Sequence, residues 1–252
     1  MKLNCDMGES FGAWKIGADA EIMPYVDMSN IACGFHASDP QIMSHTVELA
    51  VRHNVTVGAH PGYPDLAGFG RKEMVFSGDE IVNIVLYQVG ALQAICRAHH
   101  TTVDYIKPHG ALYNTMMRDR NVYQALLKAV AILSSTSTST IAPAIPLMIM
   151  ATPDHLEYKK MADEYGVTLL FEAFCDRVYT DEGLLQPRHI DGAVHQNIDT
   201  IVSQAKKLII DQAVSTCTGS SLSVNADTLC IHGDGALAIE SANRIRDILS
   251  SL

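Results

Sequence analysis

The sequence predicts an α/β fold: a parallel β/α barrel, seven-stranded and incomplete, with a single domain over residues 1–252. Strand-like and helix-like segments alternate along the chain without a break in composition, which is typical of βα units around a parallel sheet. Several strand-like runs are apolar throughout and end in a polar residue, as buried parallel strands do. An open doubly wound sheet is the alternative, because periodicity does not distinguish a closed ring from a sheet with edges.

The strands are placed by short apolar, β-branched runs that stop at glycine, proline or a polar residue. The run from Val55 to Ala59 is the clearest example. His60, Pro61 and Gly62 follow it, and this sequence cannot continue a strand interior. We predict strands over residues 2–6, 29–35, 55–59, 103–106, 147–151, 168–174 and 228–231.

The helices are placed by apolar residues at helical spacing and by capping residues. Asp39 before Pro40 is a strong helix start, and Ser77 with Glu80 forms a capping box. Gly166 fits a helix C-cap. The Ser/Thr tract at 134–140 is interpreted as a flexible surface insertion, and residues 61–76 and 179–194 as loops. Helices are predicted near residues 18–26, 40–51, 81–96, 122–133, 154–165, 198–209 and 239–249.

Composition limits the classes of partner. The formal net charge is -10 and no basic block occurs, which argues against nonspecific nucleic-acid binding. The six cysteines include no CxxC pair, which favours reduced, buried thiols in a cytoplasmic protein. We find no apolar signal segment and no run that we judge long enough to span a membrane, so we expect a cytoplasmic location without membrane contact.

Polar residues at the ends of the predicted strands form the candidate active site. The carboxyl ends of parallel strands meet at one end of a barrel, so side chains that follow different strands converge there. A lone histidine at a strand end is often structural, but here histidines follow three separate strands. Histidines and carboxylates in such a place suit acid–base catalysis. The predicted catalytic residues are Asp6, His60, Lys107 and His109.

Other residues suit substrate binding. Lys107 and Arg177 are candidates to hold a carboxylate or phosphate, although Arg177 could instead form a salt bridge with Asp176 or Glu172. Free N–H groups at the start of the last helix suit an anion, although Asp234 could simply cap that helix. The predicted substrate-binding residues are Asn4, Glu9, His36, Arg177, His232 and Asp234.

A metal site is a further candidate. Asp6, His36 and His60 would make a reasonable mixed nitrogen and oxygen ligand set for a divalent metal. The three residues come from separate strands, so their spacing along the chain does not test this idea. The sequence contains no HExxH motif and no cysteine cluster. Metal use and the identity of the general base therefore stay open.

Five motifs, taken together, resemble one family. Their length and order are very specific, and they span nearly the whole chain. The motifs are LNCDMGESFG at residues 3–12, NIACGFHA at 30–37, GAHPGYPD at 58–65, KPHGALY at 107–113 and ADTLCIHGD at 226–234. On these motifs the chain resembles the LamB/YcsF family. The resemblance implies a seven-stranded β/α barrel related to sugar deacetylases.

The resemblance also implies a function. It points to one component of an ATP-dependent 5-oxoprolinase, which opens the ring of 5-oxo-L-proline by hydrolysis to give L-glutamate together with two further subunits. ATP is then a co-substrate bound with or by the partners, since neither GxxxxGK(S/T) nor GxGxxG occurs here. A metal-dependent deacetylase-like hydrolase and a non-catalytic subunit that binds a small acid for a partner are the alternatives. Self-association stays open.

The chain departs from the family pattern near Cys175, over residues 188–194 and at Gly235. An alanine is expected before Asp176, a proline is missing in the second segment, and Gly235 stands where threonine is expected. The motifs at the predicted strand ends are kept. We therefore expect activity to be retained, and we expect the altered final loop at Gly235 to affect partner docking or substrate choice rather than the chemistry.

Overall fold

Seven parallel strands close into a barrel in the computed structural model of the chain, which describes residues 1–135, 144–233 and 237–251. The last barrel strand pairs with the first strand on one side and with the sixth on the other, so the ring is closed. The predicted parallel barrel is thus confirmed, with one strand fewer than a full β/α barrel. Its strands are β1 (Lys2–Met7), β2 (Met28–Ala32), β3 (Thr56–His60), β4 (Tyr105–Ile106), β5 (Leu147–Met150), β6 (Leu169–Phe174) and β9 (Thr228–His232).

Helices follow most of these strands and pack outside the ring. A short hairpin of β7 (Ala213–Ser215) and β8 (Ser221–Ser223), which was not predicted, lies apart from the barrel sheet. The helices are α1 (Asp19–Ile22) with a 3-10 turn (Met23–Tyr25), α2 (Pro40–Arg52), α3 (Gly78–Ala98), α4 (Gly110–Met116), α5 (Arg120–Ser135), α6 (His155–Glu164), α7 (Ile198–Ile210) and α8 (Ala238–Ser250).

The predicted helix ends are confirmed by their capping contacts. The Asp39 carboxylate accepts hydrogen bonds from two backbone N–H groups at the start of α2. Ser77 and Glu80 form the reciprocal capping box of α3. Gly166, just past α6, has φ +66°, the left-handed conformation expected beyond a helix end. Helix α4 was not predicted, because its seven residues are too few to show a periodic apolar pattern.

Strand β2 is shorter than predicted. It ends at Ala32 instead of continuing to residue 35. Gly34 adopts φ +96°, and its N–H donates to the carbonyl of Ala37 at 2.9 Å, so the chain turns here. His36 therefore lies in a turn beyond the strand rather than directly at its end. Strand β4 is also short, because only Tyr105 and Ile106 of the predicted 103–106 are strand.

Helix α3 corrects the expectation that no segment is long enough to span a membrane. By length and composition alone, this helix is long and apolar enough to cross one. In the structure it is one-sided. Ile81, Val85 and Leu92 are fully buried against the protein, whereas Tyr87 on another face is 68% exposed. This is the pattern of a helix that packs on a globular core.

Two predicted features lie partly outside the described residues. The Ser/Thr tract begins inside α5, which extends to Ser135, and its remainder falls in 136–143. Asp234 and Gly235 fall in the second gap, so neither the anion site nor the cap expected at Asp234 is tested.

One end of the barrel interior is apolar. Met28, Tyr105 and Met148 form a small buried cluster there with Leu170 packed against it. Gly58 on β3 makes room for this cluster, because a Cβ atom at Gly58 would stand 2.1 Å from Cζ of Tyr105. The hydroxyl of Tyr105 donates to Asn30 at 2.6 Å, which joins the apolar cluster to the polar interior above it.

The substitution Gly58→Ala tests this packing. We expect a loss of about 1–3 kcal/mol or more in the free energy of unfolding, because the ring of Tyr105 must move inside a closed barrel. Gly90→Ala in α3 is the matched control, since no atom of the described residues lies within 4 Å of its added Cβ apart from its chain neighbours and the backbone of its own helix. That control should be neutral or stabilise by up to about 1 kcal/mol. Urea unfolding in which both variants match the parent protein would contradict the tight contact.

Candidate active site

A cavity of about 660 Å³ opens where the barrel strands end. Asp6 and His60 end or nearly end β1 and β3, Lys107 and His109 follow β4, and His232 ends β9. All five border the cavity, as the polar strand ends predicted. Glu9 and Arg177 border it as well. His36 and Asn4 are completely buried behind this surface.

Lys107 is the charged centre of the site. Its Nζ lies 2.8 Å from Oδ1 of Asp6 and 3.1 Å from Oε2 of Glu172, and all three side chains are buried. Burial by itself would lower the pKa of Lys107, but Asp6, Cys230 and Glu172 outweigh it and raise that pKa well above the ordinary value. Lys107 is therefore a permanent ammonium that is already balanced by carboxylates.

Amide side chains complete this polar interior. The Nδ2 group of Asn30 donates to Oδ1 of Asn4 at 2.8 Å and to Oδ1 of Asp6 at 2.7 Å. Asn4 in turn donates to Thr228 at 3.1 Å. Polar groups inside a protein are tolerated when they bond to one another in this way. Asn4 is thus linked to Asp6 through the side chain of Asn30. It lies deeper in the barrel and does not border the cavity.

His60 and His109 form a pair whose protonation is constrained by the backbone. Nδ1 of His60 donates to the carbonyl of Lys107 at 2.7 Å, and Nε2 of His109 donates to the carbonyl of Phe69 at 2.8 Å. The remaining nitrogens, Nε2 of His60 and Nδ1 of His109, face each other at 3.0 Å. With both rings neutral, two lone pairs face each other, so the pair is positioned to take up one proton between these two nitrogens.

Asp6 stabilises positive charge on that pair. Its Oδ2 lies 3.4 Å from Nε2 of His60. Burial would raise the pKa of Asp6, but His60 and Lys107 overcome this effect and hold that pKa well below the usual range. An ionised carboxylate, an imidazole pair and a cavity therefore adjoin one another, which is the arrangement needed to orient a water molecule and to move its proton.

His36 lies flat against His109. The two ring centroids are 3.7 Å apart and the planes differ by 5°. Both nitrogens of His36 are buried, and within the described parts of the chain neither has a hydrogen-bond partner. An unsatisfied buried polar atom costs about 1–3 kcal/mol. Burial and the neighbouring His60 lower the pKa of His36 well below its ordinary value, so the ring is neutral.

The side chains that could hold a metal differ from the expected set. Ligand atoms of Glu9, His36, His60 and His109 lie within 4.8 Å of one another, as do those of Asp6, Cys230 and His232. Glu9 and His109 thus join His36 and His60 in one group. Asp6 belongs to the other group, and its Oδ1 already accepts from Lys107 and Asn30.

His232 is held by a second carboxylate. Its Nδ1 lies 2.8 Å from Oδ2 of Asp176, and its Nε2 lies 4.0 Å from Oδ2 of Asp6. The ring stacks on Phe174 with centroids 5.9 Å apart. Burial raises the pKa of Asp176, but His232 reverses the effect and lowers it below the ordinary value.

Arg177 is a buried guanidinium in the cavity wall. It donates to the carbonyls of Ala193 and Gln186. The salt bridges of Arg177 with Asp176 or Glu172 that the sequence left possible do not form. Among the described residues, no carboxylate oxygen lies within 4.0 Å of the Arg177 guanidinium, and Glu172 pairs with Lys107 instead. Burial and the neighbouring Arg188 lower the pKa of Arg177 to about 10. This cation remains available to an anion in the cavity.

Several site residues were not predicted. Glu172 was considered only as a partner of Arg177, although an acidic residue inside an apolar strand is itself a signal of a buried polar partner. Tyr113 borders the cavity, and burial together with Glu172 raises the pKa of its hydroxyl well above the ordinary value. Arg71 and Arg188 also border the cavity. Both lie in irregular segments, where no periodic sequence pattern predicts the position of a side chain.

Comparisons with known proteins agree with the motifs and the fold. The chain is 52% identical over 251 residues to the A subunit of 5-oxoprolinase from Vibrio parahaemolyticus, with 100% of this chain and 96% of that protein covered. It is 51% identical over 250 residues to the protein of the same name from Chromohalobacter salexigens, covering 99% and 97%.

A solved structure agrees over the full length. The lactam utilization protein from Thermus thermophilus superimposes with a TM-score of 0.88 at 39% identity, covering 100% of this chain and 96% of that chain. The family model described as LamB/YcsF matches residues 1–251. The family resemblance predicted from the five motifs is confirmed, and the chain belongs to the LamB/YcsF family.

Proposed function

We propose that this chain is the hydrolytic subunit of an ATP-dependent 5-oxoprolinase. It opens 5-oxo-L-proline to L-glutamate once the lactam has been activated with ATP. The name shared by relatives about half identical to this chain supports the substrate. The observation that carries the hydrolytic role is the buried Asp6–His60–His109 group beside a cavity large enough for a small acid.

Activation is needed because a lactam carbonyl is a poor electrophile. Transfer of the γ-phosphoryl group of ATP to the lactam oxygen makes the ring carbon electrophilic. A water oxygen then bonds to that carbon, and the proton that it loses goes to the Asp6–His60–His109 group. The ring C–N bond breaks as the nitrogen takes a proton, and a second water releases phosphate from the resulting acyl phosphate. The products are glutamate, ADP and phosphate.

The cations of the site divide into two roles. Lys107 is balanced by Asp6 and Glu172, so we assign it to fixing Asp6 and to stabilising nearby negative charge rather than to anchoring the substrate. Arg177 has no such carboxylate among the described residues and faces the same cavity. We propose that Arg177, with Arg188 beside it, holds the carboxylate or the phosphoryl group of the activated substrate.

Partners are proposed for the activating step. The sequence has no P-loop and no dinucleotide fingerprint, and the relatives are named as one subunit among others, which supports a complex. We propose two further subunits that bind ATP and phosphorylate the lactam. We also propose a cytoplasmic location, which the free cysteine thiols support.

The substitution His60→Ala should reduce turnover by the complete complex about 10²–10⁴-fold, because it removes the group that accepts the proton of the attacking water. His45→Ala is the matched control: its side chain is 62% exposed, and the variant should keep parental turnover. Glutamate release measured with excess partners, on variants whose circular dichroism matches the parent, gives the comparison. A folded His60→Ala complex with normal turnover would make His60 structural and this account wrong.

The isolated chain should not perform the ATP-driven reaction. Given ATP and 5-oxoproline without another protein, it should form neither ADP nor glutamate at the rate of the complete complex, because activation occurs on a partner. Adding the partners to the same sample should restore both products together. Steady production of ADP and glutamate by the chain alone would refute the partner requirement.

A further inference from the structure

We infer that Arg177 and Arg188 form a binding site for a phosphoryl dianion rather than for a carboxylate. The inference rests on the proposed function, because it decides which of the two anionic groups of the activated lactam this arginine pair holds. It also assigns a property to the isolated chain. The chain binds inorganic phosphate, which is the form in which the phosphoryl group leaves at the end of the reaction.

Arg177 is fixed in the cavity wall by the loop over residues 186–193. Its Nη2 donates to the carbonyl of Gln186 at 2.6 Å, and its Nε donates to the carbonyl of Ala193 at 3.3 Å. These carbonyls lie at the two ends of the loop, so one guanidinium ties both ends together. A guanidinium has five N–H donors, and the two carbonyls leave the others to a ligand in the cavity.

The same contacts place Arg188 beside Arg177. Arg188 lies in this loop, two residues beyond the carbonyl of Gln186 that Arg177 holds. Both arginines border the cavity. Burial lowers the pKa of Arg177 to about 10, and Arg188 is the next largest cause, as expected for two guanidiniums close together. An anion that contacts both relieves their repulsion.

Within the described parts of the chain, no acidic side chain forms an ion pair with either arginine. Asp176 precedes Arg177 in the sequence, but its Oδ2 lies 2.8 Å from Nδ1 of His232. Glu182 also borders the cavity, but it is exposed to solvent. The arginine pair therefore brings two positive charges to one wall of the cavity without a carboxylate in contact.

The charge and the shape of the arginine pair suit a phosphoryl group better than a carboxylate. A carboxylate has one negative charge and two oxygens, which a single guanidinium can hold by itself. A phosphoryl group on a carbon-bound oxygen carries up to about two negative charges and three acceptor oxygens. Two guanidiniums balance both charges and can donate to all three oxygens.

The arginine pair also borders the reacting side of the cavity. Asp176, next to Arg177 in the chain, holds His232, and Nε2 of His232 lies 4.0 Å from Oδ2 of Asp6. In the activated lactam, the phosphoryl oxygen is bonded directly to the carbon that water attacks. The carboxylate is separated from that carbon by the ring nitrogen and a further carbon. The phosphoryl group is therefore the anion that lies nearer to the reacting groups.

The experiment measures anion binding by the full chain alone. Isothermal titration calorimetry compares inorganic phosphate with acetate, a carboxylate of single charge, at constant ionic strength. Arg188→Gln removes one guanidinium and leaves the contacts of Arg177 with the loop ends in place. Arg52→Gln is the matched control, because the Arg52 side chain is 59% exposed and does not border the cavity. Circular dichroism shows whether each variant is folded.

This test can fail independently of the proposed function, because phosphate binding requires no ATP, partner or turnover. If His60→Ala loses turnover while folded Arg188→Gln binds phosphate normally, only the assignment of the anion is wrong. If phosphate binds as expected while His60→Ala keeps normal turnover, the ring-opening role is wrong and the phosphate site stands.

We expect the parent protein and Arg52→Gln to bind one phosphate per chain, and to bind acetate at least about tenfold more weakly. Arg188→Gln should bind phosphate about tenfold more weakly than the parent or worse, because it loses a charge-assisted hydrogen bond. If Arg188→Gln does not fold, the preference of the parent for phosphate over acetate decides. The inference is overturned if the parent binds no phosphate, if it binds acetate equally well, or if folded Arg188→Gln keeps the parental affinity for phosphate.

Discussion

The ammonium group of Lys107 is the charge on which the rest of the site depends. It follows β4 and contacts Asp6 of β1 and Glu172 of β6, strands that are not neighbours in the ring. An ammonium can remain in a barrel interior only with such partners, because burial of an unpaired charge is prohibitive. The pairing holds one oxygen of Asp6 and leaves the other facing His60.

The chemistry follows from that arrangement. Asp6 presents negative charge to an imidazole pair, and two backbone carbonyls fix which nitrogens of His60 and His109 face each other. The facing nitrogens can take up one proton between them, and the Asp6 carboxylate stabilises the positive charge that this proton brings. These groups are held in place before substrate arrives, and such preorganisation is a main source of catalytic power in polar sites.

The sequence predicted the barrel, the approximate positions of its seven strands along the chain and most of the polar strand ends, because apolar runs that stop at polar residues indicate buried parallel strands directly. It did not predict the depth of each side chain. His36 was expected at a strand end, but the turn at Gly34 places it behind His109. From the sequence, Glu172 was considered as a partner of Arg177, but it pairs with Lys107. No local sequence pattern shows which interior residue a strand places opposite Lys107.

The most direct test of the account is a double-mutant cycle with Lys107→Met, Glu172→Gln and the double variant, measured as free energies of unfolding in urea. Each single change should cost about 3–5 kcal/mol, because it leaves buried charge without its partner. The double variant should cost clearly less than the sum of the two. Single costs that add within about 0.5 kcal/mol would show that the two residues are not coupled and would contradict the central role of Lys107.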